Sequence, residues 1–288
     1  MDRIPRLLLV TLAAFVASSQ PVTIRELSAG MLIFQTASGN VAASVGPDGA
    51  LLIGTPSFES TPEISAALEK RTRSPLRYVV LAPQDLMHSQ GDAGWVKRGA
   101  FVAMQELALQ RLGGHAMGMP GPLPKQLLDL GAARPPVSFS DVMTFDMNGD
   151  SIHIIHQKPG YSDADSVAHF HTAKLIYLGE VFPGDGYPLV DKTQHGDLNG
   201  IMATLRNWGG SDLRILPARG EIASASDLKE LLGVIESVRA KVKTMIDAHQ
   251  PEQDVIAAHP SAEFDARYGQ GRVKPDQFVH EIYVSFSK

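Results

Sequence analysis

The chain has 288 residues, 44% hydrophobic and 20% charged, and a formal net charge of -5. It is too apolar to be disordered and long enough for one domain with a large core. Its 26 Lys and Arg are dispersed and form no basic stripe, which argues against nucleic acid as a partner. The lack of cysteine excludes disulfides, thiolate metal sites and a cysteine nucleophile, so any metal would rest on His and carboxylates.

In chain order, Arg3 and Arg6 followed by the apolar run Leu7 to Ala17 and the small residues Ala17-Ser18-Ser19 read as a signal peptide over residues 1–19. The run falls short of the ~20 residues that span a bilayer, and no second apolar stretch of that length follows. The expectation is a periplasmic or secreted protein with no stable membrane span, whose folded domain covers residues 20–288.

Strand character begins at Met31 to Thr36 and continues in Val41 to Val45 and Ala50 to Ile53, the last two joined by a turn at Asp48-Gly49. Ser60-Thr61-Pro62-Glu63 opens a helix running to about Arg73, and Tyr78 to Leu81 reads as a buried strand. Ala93 to Leu112 reads as helix, strand, helix, with Ala100 to Ala103 as the strand. The Gly/Pro/Met-rich passage from Gly113 to Pro124 reads either as a flap over one face or as an insertion without structure of its own.

Period two returns with Val137 to Met147, taken as one strand, then the Asn148-Gly149 turn, Ile152 to His156, Val167 to His171 and Leu175 to Leu178. Asp197 to Trp208 reads as a helix, Leu213 to Leu216 as a short strand, and a long amphipathic helix starts at Ser226 and runs to about His249. Beyond about residue 250 comes a helical extension with a last helix over Asp276 to Phe286. Two halves that each run strands then helices predict two packed sheets with helices outside both.

Several landmarks then stand in a telling order. They are Asn40 to Val45 with Asp48 to Thr55, Tyr78-Val79-Val80 leading to His88-Ser89-Gln90-Gly91-Asp92, Pro159 to Asp165, Leu178 to Phe182, and Pro217-Ala218-Arg219-Gly220. Over roughly residues 25–245 the chain resembles the metallo-β-lactamase fold superfamily. The resemblance implies an α/β chain folded as a four-layer αββα sandwich with its active cleft along one edge of the sheets.

It also implies where zinc ligands would fall. The family's H-x-H-x-D-H motif lands on Pro83, Asp85, Met87 and His88, its next histidine on Tyr161, its bridging aspartate on Glu180 and its last histidine on Arg219. Proline and methionine offer no nitrogen or hard oxygen, an ordinary tyrosine stays protonated, and a guanidinium has no lone pair to give. Asp85, His88 and Glu180 remain as donors.

Two functions are therefore expected. One is a non-catalytic or much altered member, without a metal cofactor, that binds a small molecule or a protein partner in the cleft. The alternative is a hydrolase with one zinc or similar divalent ion on Asp85, His88 and Glu180. Tyr161, Asp163, Asp165, His195 and Asp197 lie on segments that frame the cleft in the family. With His88 and Arg219 they could hold an anion, or Arg219 could pair internally with Glu180 or Asp85. The cost of an unmatched buried cation favours the internal pair.

His169 and His171, two apart on a strand, share a face as a zinc pair would. No third ligand is evident beside them, and the expectation is half-exposed hairpin residues. His153 and His156 fall on opposite faces of their strand. No G-x-S-x-G elbow and no G-x-G-x-x-G sequence is present.

Overall fold

The structure, a computed structural model, describes residues 22–54, 60–81, 95, 98–112 and 137–286. The expected leader, the helix ahead of Ala100 except Trp95, Arg98 and Gly99, the positions 83–88 and the passage 113–124 lie outside the described residues.

Two sheets form the middle of the molecule. The first runs in chain order through β1 (Thr23–Ser28), β2 (Met31–Thr36), β3 (Gly39–Gly46), β4 (Gly49–Ile53), β5 (Leu76–Val80), β6 (Phe101–Gln105) and β7 (Val137–Phe139). Its first four strands are antiparallel and the rest join in parallel. The second has the order β12-β11-β10-β9-β8, with β8 at Val142–Met147, β9 at Asp150–His156, β10 at Ser166–Phe170, β11 at Leu175–Gly179 and β12 at Arg214–Pro217. Only β11 and β12 pair in parallel there. A parallel pair brings like ends together, so the residues after β11 and after β12 emerge side by side.

Alternation along each strand sends one set of side chains between the sheets and the other outward. The layer between them holds Ile33, Leu51, Val80 and Phe139 from the first sheet against Ile152, Ile154, Phe170 and Leu216 from the second. The outer face of the first sheet is covered by α1 (Thr61–Glu69) and Trp95. The outer face of the second is covered by α3 (Leu198–Trp208), α4 (Ala225–Asp247) and α7 (Pro275–Val284), through Leu205, Val238, Phe278 and Ile282. The short helices α2 (Glu106–Leu112), α5 (Glu252–Ala257) and α6 (Asp265–Tyr268) complete the described helices. This is the four-layer αββα sandwich that the resemblance implied.

The two expected turns interlock across the sandwich: Asn148 N–H donates to Asp48 Oδ2 at 2.7 Å, and Asp48 N–H to Asn148 Oδ1 at 3.1 Å. One expectation is corrected. Val137 to Met147 is two strands in different sheets, since the chain leaves β7 through Ser140 and Asp141 and re-enters the second sheet as β8. The crossing is marked in the sequence by the consecutive polar residues Ser140-Asp141, which are exposed, and by the exposed Val142, where the alternation breaks before it resumes at Met143. The described helices offer none long and apolar enough to cross a membrane.

Candidate functional site

Glu180 follows β11 and Arg219 follows β12, and the β11–β12 register, which pairs Gly179 with Pro217, sets them next to each other. Close packing fixes the loops that carry them. Gly184, at φ +84, lies where a Cβ would come within 2.2 Å of Arg219 O, so glycine is required on both conformational and spatial grounds. From the other sheet, Asn40 Nδ2 donates to Pro217 O and Gly220 O, both at 3.0 Å.

The Arg219 guanidinium grips the Glu180 carboxylate with two prongs, Nη1 to Oε1 at 2.6 Å and Nη2 to Oε2 at 3.0 Å. Its Nε donates to Asp185 Oδ2 at 2.8 Å. A second cation, Arg272 from the C-terminal extension, also bonds Glu180 Oε2. Both oxygens of the buried carboxylate are thus taken by guanidinium groups. Burial works against the charge on Arg219, but the hydrogen bonds and attraction of Glu180 and Asp185 outweigh it and hold its pKa above the ordinary guanidinium value.

Tyr161 lies in the loop between β9 and β10. Its hydroxyl donates to Asp191 Oδ2 at 3.5 Å, and Gln194 Nε2 donates to the same carboxylate oxygen at 2.6 Å. Burial, then Asp191 and Glu180, push its pKa up to about 12. It is a neutral phenol rather than a phenolate ligand. Burial opposes the charge on Asp191, yet hydrogen bonds from Thr193 and Gln194 hold its pKa below the usual carboxylate value. Asp163 pairs with Arg111 of α2, whose pKa burial lowers, with Asp191 and Asp165 offsetting part of the effect.

Asp165 is fully buried. Its Oδ1 accepts from Ser162 N at 3.0 Å and Ser162 Oγ at 2.8 Å, and burial pushes its pKa up to about 7. Asp197 caps α3, accepting from Asn199 N at 2.9 Å. His195 closes a 3-10 turn in the left-handed conformation, φ 59, with its side chain exposed to solvent.

Of the expected cleft residues the structure therefore brings Arg219 onto Glu180, Tyr161 onto Asp191 and Asp163 onto Arg111. His195 points to solvent at the margin. Asp85 and His88, with Pro83 and Met87, lie outside the described residues. The partners Asp185, Asp191, Arg111 and Arg272 were not foreseen, because pairings across long stretches of chain leave no local pattern.

Tyr161, Glu180 and Arg219, the described residues that the resemblance assigns to zinc-ligand positions, do not fit a two-metal centre as they stand. Zinc asks for imidazole, thiolate or carboxylate donors with free lone pairs. Here one position is a permanent cation, one is a protonated phenol, and the remaining carboxylate is committed to two arginines. No group of three or more His, Cys, Asp or Glu that could hold a metal ion occurs among the described residues.

With this geometry in hand, the chain is similar in structure to metallo-β-lactamases. A metallo-β-lactamase from Pontibacter korlensis superposes with a TM-score of 0.57 at 17% identity, covering 74% of this chain and 99% of that one. The DIM-1 metallo-β-lactamase superposes with a TM-score of 0.57 at 12% identity, covering 75% of this chain and 97% of that one. The chain has the metallo-β-lactamase fold. No protein-family model matches it, and no curated protein matches it by sequence.

Proposed function

We propose that this chain is a much altered metallo-β-lactamase-fold protein, exported to the periplasm or beyond, that has given up metal-activated water and uses its cleft to bind a small molecule or a protein partner. One observation carries this reading: the Glu180 carboxylate is held by Arg219 in a two-pronged contact and by Arg272 as well. A cation binding at Glu180 would have to displace both guanidiniums and then sit beside their charges. The alternative, one metal on Asp85, His88 and Glu180, requires that displacement and loses support accordingly.

The ion pair also redefines what the cleft can bind. Arg219 is spent internally and is no free anion receptor, so a ligand would meet the exposed parts of Arg272 and Asp185 rather than the buried Tyr161 and Gln194. A hydrolysis panel of ester, thioester and β-lactam substrates, run with added zinc, tests the reading. Turnover at background for wild type and Glu180→Gln alike is expected. Turnover that Glu180→Gln abolishes would overturn it.

A further inference from the structure

A strand's length from the cleft, on the outer face of the second sheet, stands a cluster that the proposed function does not use. The β9–β10 register places His153 directly opposite His169. The expectation set no third ligand beside His169 and His171; the register brings the His153 ring up to them, although as the side chains stand no three donors among the described residues converge. The His171 ring lies 4.6 Å from that of His153 and 4.0 Å from that of His169, centroid to centroid. His169 in turn meets Trp208 of α3 edge-on at 5.6 Å. His153 and His169 are half-buried and His171 is exposed. His156 faces elsewhere, with Nε2 on Asp163 O at 2.8 Å.

One pair of nitrogens has the separation that two ligands of one ion would have. His153 Nδ1 and His171 Nε2 are 3.3 Å apart. Two imidazoles bound to a tetrahedral zinc at ~2.0–2.1 Å have their nitrogens roughly 3.3–3.4 Å apart. The far nitrogen of His153, Nε2, is 3.3 Å from Ser151 Oγ, which donates to Asp146 Oδ1 at 2.6 Å. Metal-bound imidazoles are commonly supported this way, with the outer N–H donated to a polar group that fixes tautomer and ring orientation. A further carboxylate acting on His169, that of Asp150, accepts from Thr172 N and Ala173 N.

We propose that His153, His169 and His171 form a surface site for a late first-row divalent cation of the zinc, nickel or copper class. His153 Nδ1 and His171 Nε2 are the clamp, His169 is the third donor, and water completes the shell. An all-imidazole set suits these ions and not magnesium or calcium. As the side chains stand, no group of three donors among the described residues closes on one point, so binding requires the half-exposed His169 ring to turn toward the pair.

Calorimetric titration of the full chain with zinc chloride at pH 7.5 tests the site. A single equivalent is expected to bind, weakened about tenfold or more in His171→Ala, lost in His153→Ala/His171→Ala, and unchanged in Glu180→Gln. Binding should also weaken by about tenfold or more at pH 5.5, where protons compete for the imidazoles. In parallel, copper(II) should quench part of the tryptophan fluorescence through Trp208, and His171→Ala should remove that quenching. No saturable zinc binding into the millimolar range would overturn the proposal, as would binding that survives in the double variant. Loss in Glu180→Gln alone would instead place the ion in the cleft and overturn the proposed function as well.

Discussion

Replacing Arg219 by alanine leaves the Glu180 carboxylate, 5% exposed, facing Arg272 alone, and Arg272 is 49% exposed. Removing one partner of a buried pair costs about 3–5 kcal/mol, because the remaining charge stays desolvated. Two features lower that figure here: Arg272 still neutralises part of the charge, and Arg219 itself keeps 18% of its side-chain surface in water. Asp185, 37% exposed, can turn to solvent and adds little. The expected loss is about 2–3 kcal/mol.

The double variant Arg219→Ala/Glu180→Ala removes the orphaned carboxylate as well as the cation, so it should lose less than the sum of the single losses, with a coupling of about 1.5 kcal/mol. Urea unfolding at pH 7 reads these numbers. With a slope of about 2–3 kcal/mol per molar, the single variant's midpoint falls by about 1 M. At high salt the coupling should persist, whereas the exposed Arg206–Glu236 pair, 52% and 49% exposed, should show none. A coupling below about 0.5 kcal/mol would refute the account of Arg219 as the counterion that fills the cleft.

Two further outcomes follow from the loop that carries Tyr161. Asp165 titrates in the folded chain near 7 and from 3.8 when unfolded, so between those values the folded state keeps a proton that the unfolded state has lost. Stability therefore falls as pH rises through that window, by at most about 4 kcal/mol in total. Asp165→Asn should flatten this slope and gain on wild type above pH 7 in urea midpoints taken from pH 4 to 8, and parallel curves would count against it. Gly200 in α3 lies where a Cβ would come within 1.6 Å of Pro159 O, so Gly200→Ala must push the 159–161 loop off the helix. A melting temperature within a degree of wild type would contradict that packing.

Most of the sandwich was legible because its inner strands, such as Met31–Thr36, Gly49–Ile53 and Leu175–Gly179, are short apolar runs and its turns are chemically marked. The Asp48-Gly49 and Asn148-Gly149 steps fall where the structure turns, and the latter is a left-handed pair with φ of 54 and 76. β1 was missed for a physical reason: it is an edge strand, mostly exposed, whose sequence TIRELS carries no apolar face. The break between β7 and β8 falls at Ser140-Asp141, where two exposed polar residues interrupt the alternation, a signal too short to separate from a turn-free strand by period alone. In the site, the Arg219–Glu180 pair could be anticipated from the cost of an unmatched buried charge. Arg272 and Arg111 could not, because they reach the site from distant parts of the chain, and Asp185, five residues after Glu180, lies on a loop with no period to place its side chain. His153 was set apart from His169 and His171 because strand register is a property of the folded sheet, and no spacing within one strand reveals it.

The most direct test of the central claim, that arginines occupy the metal position of the cleft, is the zinc content of protein prepared without chelators and dialysed from excess zinc. The background should be His153→Ala/His171→Ala, so that the outer face contributes nothing. The account predicts no retained zinc, and no difference on adding Glu180→Gln. One or more equivalents retained and then lost with Glu180→Gln would contradict it.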